Sequence, residues 1–164
     1  MHRTVLALAI GLSIAIGLSI AGTALAATTP FSRLAGQWSG GGTLEMQDGS
    51  RERLRCRADY DVLDGGHHLQ LRIRCASESY NFNLQSSANY AGGRVTGIWS
   101  ESSLNAGGTL SGRAADGRIS VLANGQTFSA NLTLITRGSR QSVAIRSRDP
   151  QSSVVGAAIE LRRS

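Results

Sequence analysis

Residues 51–76, RERLRCRADYDVLDGGHHLQLRIRCA, decide the fold of this chain. On either side of Gly65-Gly66, apolar and polar residues alternate with the period of two that is typical of a strand with one buried face. Glycine accepts the positive φ angles of a two-residue hairpin loop at low cost, so we expect the chain to reverse there. This register places apolar residues opposite one another and Cys56 opposite Cys75. Directly opposed Cα atoms lie within disulfide range, and we therefore predict a Cys56–Cys75 bond.

The same alternation, interrupted by short glycine-containing loops, continues to the end of the chain. The other predicted loops are Gln47–Gly49, Gly92-Gly93, Asp116-Gly117, Asn124-Gly125 and Gly138-Ser139. The loop at 124–125 pairs Val121 with Phe128. The predicted strands span residues 36–46, 50–63, 68–76, 79–91, 94–102, 108–115, 118–123, 126–137, 140–148 and 154–163.

A meander of this kind has one apolar face, which the fold must cover, and two free edges, which it must remove. Curling into a barrel does both. We therefore predict an all-β fold, an antiparallel up-and-down β-barrel of about ten strands. A two-layer antiparallel β-sandwich is the alternative, because it uses the same alternation.

The first 26 residues have the pattern of an export signal. A short positive region at residues 2–3 precedes an apolar run at 5–22, and Ala-Leu-Ala at 24–26 matches a small-x-small cleavage site. The predicted organisation is 1–26 signal peptide, 27–35 N-terminal lead-in segment and 36–164 single β-barrel domain. An uncleaved N-terminal anchor is the alternative to a cleaved signal. The predicted location is the periplasm or the outside of the cell, without a membrane span after signal removal, and such compartments favour disulfides.

The composition limits the classes of function. The chain has 164 residues, a formal net charge of +6 and 17 basic residues, all of them arginine. The predicted register brings no Ser, His and acid together, and we find no metal-ligand cluster and no phosphate-binding loop. The sequence therefore predicts a non-enzymatic protein without metal or other cofactor. Nucleic acid is not expected as a partner, because surface aromatics are few.

The first predicted strand begins with a short motif. Gly36-x-Trp38 resembles the G-x-W of the lipocalins and wider calycin barrels, which hold apolar molecules inside the barrel. In that family the Trp closes one end and an Arg near the last strand packs across it, which implies this role for Arg162 or Arg163. The wider string Leu-x-Gly-x-Trp-x-Gly-x-Gly also resembles nitrobindin-like haem barrels, which bind haem through a His near the C-terminus. This chain has no His after His68, so the resemblance favours the fold and argues against haem.

The inward face of the predicted barrel mixes small and large apolar residues, an arrangement that leaves room for a ligand. The first functional hypothesis is an exported binding protein that holds a small apolar or amphipathic ligand inside the barrel. A barrel filled by its own side chains is the alternative. The candidate ligand-binding residues are Trp38, Tyr60, Tyr80, Phe82, Trp99, Glu101 and Phe128. Glu101 is expected at the mouth, where its carboxylate either orients a polar head group or is solvated at the rim.

Arginines also form an outward stripe that begins at Arg51. The candidate anion-binding residues are Arg53, Arg55, Arg57, Arg72 and Arg74, since guanidinium groups bind phosphate in bidentate geometry. The second functional hypothesis is an envelope interaction protein that binds a polyanion, a lipid head group or a protein partner through this stripe or its loops. Inhibitor-like binding belongs to this class, because a secreted bacterial protease-inhibitor family also combines a small barrel, an early G-x-W and one disulfide. A solvated charged face is the alternative, and the oligomeric state is left open.

Overall fold

The computed structural model describes residues 28–164, which form ten antiparallel strands in one closed barrel. Each strand pairs with the next along the chain, and the first pairs with the last. The strands are β1 (Gly36–Met46), β2 (Arg51–Leu63), β3 (His68–Ala76), β4 (Asn81–Ala91), β5 (Arg94–Glu101), β6 (Ala106–Ala115), β7 (Arg118–Gly125), β8 (Ser129–Arg137), β9 (Arg140–Ser147) and β10 (Val154–Arg163). The predicted up-and-down barrel is confirmed, and the β-sandwich is excluded. The predicted signal peptide lies outside the described residues, and none of the helices within 28–164 has the length and hydropathy to cross a membrane.

Most hairpin registers agree with the predicted loops. In the β2–β3 hairpin Cys56 lies opposite Cys75, and the two residues form a disulfide with their Cα atoms 4.1 Å apart. The predicted loops at 47–49, 92–93, 116–117 and 138–139 are also confirmed by the pairing of the strands that they join. The glycine-marked reversals therefore set the register almost everywhere.

The predicted loop at 124–125 is wrong. β7 continues through Gly125, whose N–H donates to Phe128 O over 3.0 Å, and Val121 lies opposite Leu132 rather than Phe128. The longer strand keeps its pairing with β6 to the end, which a turn at 124–125 would break. Because the register moves by an even number of residues, the inward face of β8 is unchanged.

One end of the barrel is covered by the residues that precede β1. A short 3-10 helix, Pro30–Arg33, places Phe31 over the opening with Leu34 beside it, and each of the two is only 1% exposed. The Phe31 ring makes an edge contact with Tyr90, with ring centroids 6.0 Å apart. We call residues 30–34 the lid. The sequence predicted only a lead-in segment here.

Trp38 and Arg163 hold the lid in place. Trp38 Nε1 donates to Leu34 O over 2.7 Å, and the Arg163 guanidinium lies 4.7 Å from the centre of the Trp38 ring. The same guanidinium donates to Arg33 O. Of the two arginines that the resemblance implied for this role, the structure therefore assigns it to Arg163 and leaves Arg162 on the outer wall.

Glycines in β1 allow the barrel to close. A Cβ atom at Gly42 would lie 1.9 Å from Ala158 O of β10, and one at Gly40 would lie 2.0 Å from Glu160 O. Real Cβ atoms do not approach a carbonyl oxygen this closely, so β1 and β10 can pair here only with glycine at these positions.

The barrel interior is tightly packed on one side and loose on the other. Many inward side chains of β1, β2 and β10, among them Leu44, Leu54 and Leu161, are buried almost completely. Several inward side chains of β3–β9 are only half-buried, namely Leu71, Ile73, Leu84, Leu110, Leu132, Leu134 and Ile145. Well-packed protein interiors contain few voids larger than a water molecule. Space therefore remains along β3–β9.

Candidate ligand cavity

The loose side of the interior contains a cavity of about 110 Å³. It extends from the lid, where Phe31 and Leu34 form part of its wall, to Trp99 and Ala123. The remaining lining residues are Tyr60, Leu69, Leu71, Leu84, Ser86, Ala88, Val95, Leu110, Ile119, Val121, Leu132, Leu134 and Val143. Among the described residues, the side chains that line the cavity are therefore hydrocarbon except for those of Tyr60, Ser86 and Trp99.

The Tyr60 hydroxyl is already used inside the protein. It donates to Gln141 Oε1 over 2.7 Å, and Gln141 Nε2 donates to Thr136 Oγ1 over 3.2 Å. All three side chains are buried, and they join β2, β9 and β8 near the lid. Burial raises the pKa of Tyr60 far above its ordinary value, although the hydrogen bond with Gln141 opposes this rise. Tyr60 thus contributes a neutral, hydrogen-bonded phenol to the cavity wall.

Trp99 lines the cavity and carries an unpaired buried donor. The residue is 6% exposed, and its Nε1–H has no hydrogen-bond partner among the described residues. Ser86 lies directly opposite Trp99 in the β4–β5 register, so both side chains face the interior and both line the cavity. Nearly all buried polar groups in proteins are hydrogen-bonded. Trp99 and Ser86 are therefore neighbouring residues of the cavity wall, and the Trp99 N–H is a buried donor there without a partner among the described residues.

The Glu101 carboxylate is bound by the protein backbone. Its Oε1 accepts from the N–H groups of Asn83 (2.7 Å) and Ser103 (3.0 Å), and its Oε2 accepts from the N–H of Leu104 (2.6 Å). Burial raises the pKa of Glu101, but these hydrogen bonds outweigh it, so the pKa lies below the ordinary value of 4.5. The side chain is 5% exposed and is absent from the cavity wall. The structure therefore gives Glu101 the task of fixing the β5–β6 turn.

Of the six aromatic candidates, only Tyr60 and Trp99 line the cavity. Trp38 packs under the lid, with its ring centroid 6.4 Å from that of Tyr60. Tyr80 and Phe82 stack on each other with centroids 5.9 Å apart, near the start of β4. Phe128 makes an edge contact with Trp99, with ring centroids 6.1 Å apart, and is not among the lining residues.

The predicted anion-binding arginines are all exposed on the outer wall. Arg72 is paired with Asp61 over 3.0 Å, so its charge is compensated. Arg57 lies directly opposite Arg74 across the β2–β3 hairpin, and neither makes an ion pair with any carboxylate in the part of the chain that the structure describes. Arg53 and Arg55 follow along β2 and lie opposite Thr43 and Gly41 of β1.

Sequence reasoning missed several lining residues. The lid residues Phe31 and Leu34 fall in the predicted lead-in segment. They follow Pro30 and are three residues apart, a pattern that is typical of a short helix with one apolar side. The predicted loop at 92–93 places Ser86 opposite Trp99 on the inward face, but Ser86 is not among the candidate site residues of the sequence analysis. A hydroxyl within an otherwise apolar inward alternation is a signal that could have identified it.

The comparisons with known proteins give relatives in fold only. No family model matches the chain, and no curated protein matches it. The structure is similar to the crystal structure of Rv2717c from M. tuberculosis, with a TM-score of 0.65 and 12% identity over 81% of this chain and 94% of the other. It is also similar to the S-type phycobiliprotein lyase CPES from Guillardia theta, with a TM-score of 0.55 and 12% identity over 82% of this chain and 90% of the other.

These likenesses correct one expectation and support another. The sequence predicted a non-enzymatic protein, but a barrel of the same fold is named as a lyase, so that prediction is wrong in excluding catalysis. Identity of 12% establishes a common fold and transfers no activity. What the chain shares with both proteins is a lipocalin/calycin-like barrel, the fold that its Gly36-x-Trp38 resemblance implied.

Proposed function

We propose that this protein binds a small, neutral, largely apolar molecule with one hydrogen-bond acceptor inside its barrel. The observation that carries the proposal is the Trp99 Nε1–H, a buried donor without a partner among the described residues, on a side chain that lines an apolar cavity. A buried donor left unpaired costs about 1–3 kcal/mol, and an acceptor on the ligand removes that cost. A carbonyl or ether oxygen suits the position, because the Ser86 hydroxyl can donate to the same oxygen.

The size and charge of the cavity narrow the ligand further. None of the residues within 28–164 that line it is charged, so an ionised ligand would be buried there without a counter-charge. Its volume of about 110 Å³ is below the roughly 300–1,000 Å³ of pockets for drug-sized molecules. It is comparable to an engineered cavity of about 150 Å³ that binds benzene. The proposed ligand therefore has about the size of a single ring.

We also propose that the protein performs this function after export. The predicted signal at 1–26 and the Cys56–Cys75 disulfide support this location, since disulfides persist mainly in oxidising compartments. The mass of the protein recovered from the periplasm or the medium tests it, with Ala27 expected as the first residue. A cytoplasmic protein with two free thiols would contradict the proposal.

A pair of isosteric probes tests the ligand class. Benzaldehyde and toluene have nearly the same shape, but only benzaldehyde carries an acceptor. We expect both to shift the methyl NMR signals of Leu71 and Leu134, with benzaldehyde binding about tenfold more tightly, which corresponds to roughly 1.4 kcal/mol. In the Trp99→Phe variant the preference for benzaldehyde should fall, and in Trp99→Phe combined with Ser86→Ala the two affinities should become equal, because both donors are gone.

Two further variants provide matched controls. Ala88→Leu adds bulk to the cavity wall and should abolish the binding of both probes, whereas Ile98→Ser changes an exposed residue on the outer wall and should leave binding unchanged. If Ala88→Leu binds the probes as well as the original protein, the cavity is not the site. If the original protein binds both probes equally, the cavity remains the binding site, but the Trp99 N–H does not contribute to the affinity.

A further inference from the structure

Arginines of neighbouring strands line up across the outer wall of the barrel. From β8 to β3 the register places Arg137 opposite Arg140, Arg140 opposite Arg162, Arg162 opposite Ser39, Ser39 opposite Arg57, and Arg57 opposite Arg74. We call these five arginines the arginine row; all are exposed. The row runs across six consecutive strands of the ten, β8, β9, β10, β1, β2 and β3.

The charges of the row are not compensated within the described residues. None of the five arginines makes an ion pair there. The nearest acidic residues in the register are Glu160 and Asp59, each two positions along a strand from a member of the row. Like charges directly opposite each other in a sheet are destabilising, and the row contains three such pairs. An anion bound across the row would attract each guanidinium group and so offset the repulsion between the arginines.

We infer that the arginine row binds a flexible linear polyanion. Neighbouring strands are about 4.8 Å apart, so arginines on adjacent strands follow one another at about this spacing, with one step of about twice that length at Ser39 of β1. Each guanidinium group can hold a phosphate or sulfate oxygen pair. The row follows the curved wall over more than half of the strands, and a flat membrane cannot contact all five arginines at once. A flexible chain can bend around the barrel and reach each of them. This site is separate from the cavity and does not depend on the ligand proposed there.

Long-chain inorganic polyphosphate is the probe for this site. The key variant replaces Arg57, Arg140 and Arg162 by Gln, and the control variant replaces Arg94, Arg113 and Arg118 by Gln. Both triple variants lose the same charge, but the control residues are exposed on β5, β6 and β7, outside the row. Affinity is measured at several salt concentrations, together with the melting temperature of each variant.

We expect the row variant to bind polyphosphate at least tenfold more weakly, and its salt dependence to fall by about two to three in log–log slope. The control should lose less than threefold. Equal losses in both variants would overturn the inference, because they would show attraction to net charge alone. The inference would also be overturned if the protein binds phosphatidylglycerol vesicles as tightly as polyphosphate and the row variant loses that binding. The partner would then be a membrane surface. Monomeric phosphate should bind weakly, since it can meet only one or two arginines.

Discussion

The buried Glu101 carboxylate fixes the β5–β6 turn through hydrogen bonds to its charged form, so its contribution to the stability of the fold should depend on pH. Its folded-state pKa lies below the ordinary 4.5, because burial, which raises it, is outweighed by backbone N–H donors. Such a group stabilises the fold fully above the unfolded-state pKa, and this contribution is lost as pH falls through the folded-state pKa. Glu101→Gln should therefore lower the free energy of unfolding by about 1.5–3 kcal/mol at pH 7, where charged hydrogen bonds are lost.

Denaturant unfolding of Glu101→Gln and the original protein at pH 7 and pH 3 checks this sign. The difference between them should begin to narrow below about pH 4.5, the ordinary pKa of the carboxyl, and be smaller at pH 3. Glu160→Gln, at an exposed position of β10, should change stability by less than about 0.5 kcal/mol. A gap for Glu101→Gln that stays constant with pH would show that the carboxylate charge does not contribute.

At the same scale, the sequence predicted the direction of side chains but not their depth. Period-two alternation fixes which residues face inward, and Trp99, Tyr60 and Leu71 do so as expected. Depth along the barrel axis depends on strand tilt and stagger, which the pattern of one strand does not contain. Tyr80 and Phe82 were therefore predicted as lining residues although they stack away from the cavity.

The attachment of the lid to the barrel can be tested by comparing variants of two neighbouring arginines in β10. Arg163 packs on the Trp38 ring and donates to the lid backbone at Arg33, whereas Arg162 lies on the outer wall. Arg163→Gln should lower the free energy of unfolding by about 1 kcal/mol, the sum expected for an exposed cation–π contact and one hydrogen bond at their lower limits. Arg162→Gln should stay within about 0.5 kcal/mol.

The readouts for this pair are urea unfolding and amide hydrogen exchange. Exchange at Leu34 and Trp38 should become faster in Arg163→Gln, because the lid opens more often, and should be unchanged in Arg162→Gln. Equal stability losses in the two variants would mean that Arg163 does not hold the lid.

Closure of the barrel depends on the glycines of β1. Gly42→Ala brings a Cβ atom to 1.9 Å from Ala158 O, so β1 and β10 must separate locally. We expect a loss of at least about 1–3 kcal/mol, as for other overpacked interior positions. Ser39→Ala, at an exposed position of the same strand, is the control and should be nearly neutral. Thermal unfolding compares them, and a melting temperature for Gly42→Ala equal to that of Ser39→Ala would contradict the prediction.

The end of β7 shows that strand pairing can override a local turn signal in the sequence. Asn-Gly is among the strongest hairpin signals, yet residues 124–125 remain in β7. The reason is that β7 keeps its pairing with β6, and the turn moves to residues that the sequence assigned to the next strand. Elsewhere the glycine signal and the pairing agree, and the predicted registers hold.

At the scale of the whole molecule, the closed barrel was predictable and its free volume was not. Ten alternating strands in sequence order leave few ways to cover one apolar face. A hollow interior depends on how the summed side-chain volumes compare with the enclosed space, and small differences decide it. The cavity lies where small inward side chains, among them Ser86, Ala88 and Ala123, leave space that the surrounding larger side chains do not fill.

The disulfide is expected to stabilise the whole barrel without shaping the cavity. Cys56 and Cys75 are 19 residues apart, and a closed loop of this size contributes about 3 kcal/mol in the chain-entropy model. Neither residue lines the cavity, and every strand pairs with two neighbours, so the loss should appear as lower global stability at unchanged probe affinity. Replacing both cysteines by Ala, or reducing the original protein, should therefore shift the urea midpoint downward by the same amount, with tryptophan fluorescence and far-UV circular dichroism reporting one transition.

If reduction leaves the midpoint unchanged, the bond does not constrain the unfolded chain. If benzaldehyde affinity falls with the bond, the tightly packed and loose sides of the interior are coupled more strongly than their separate packing implies.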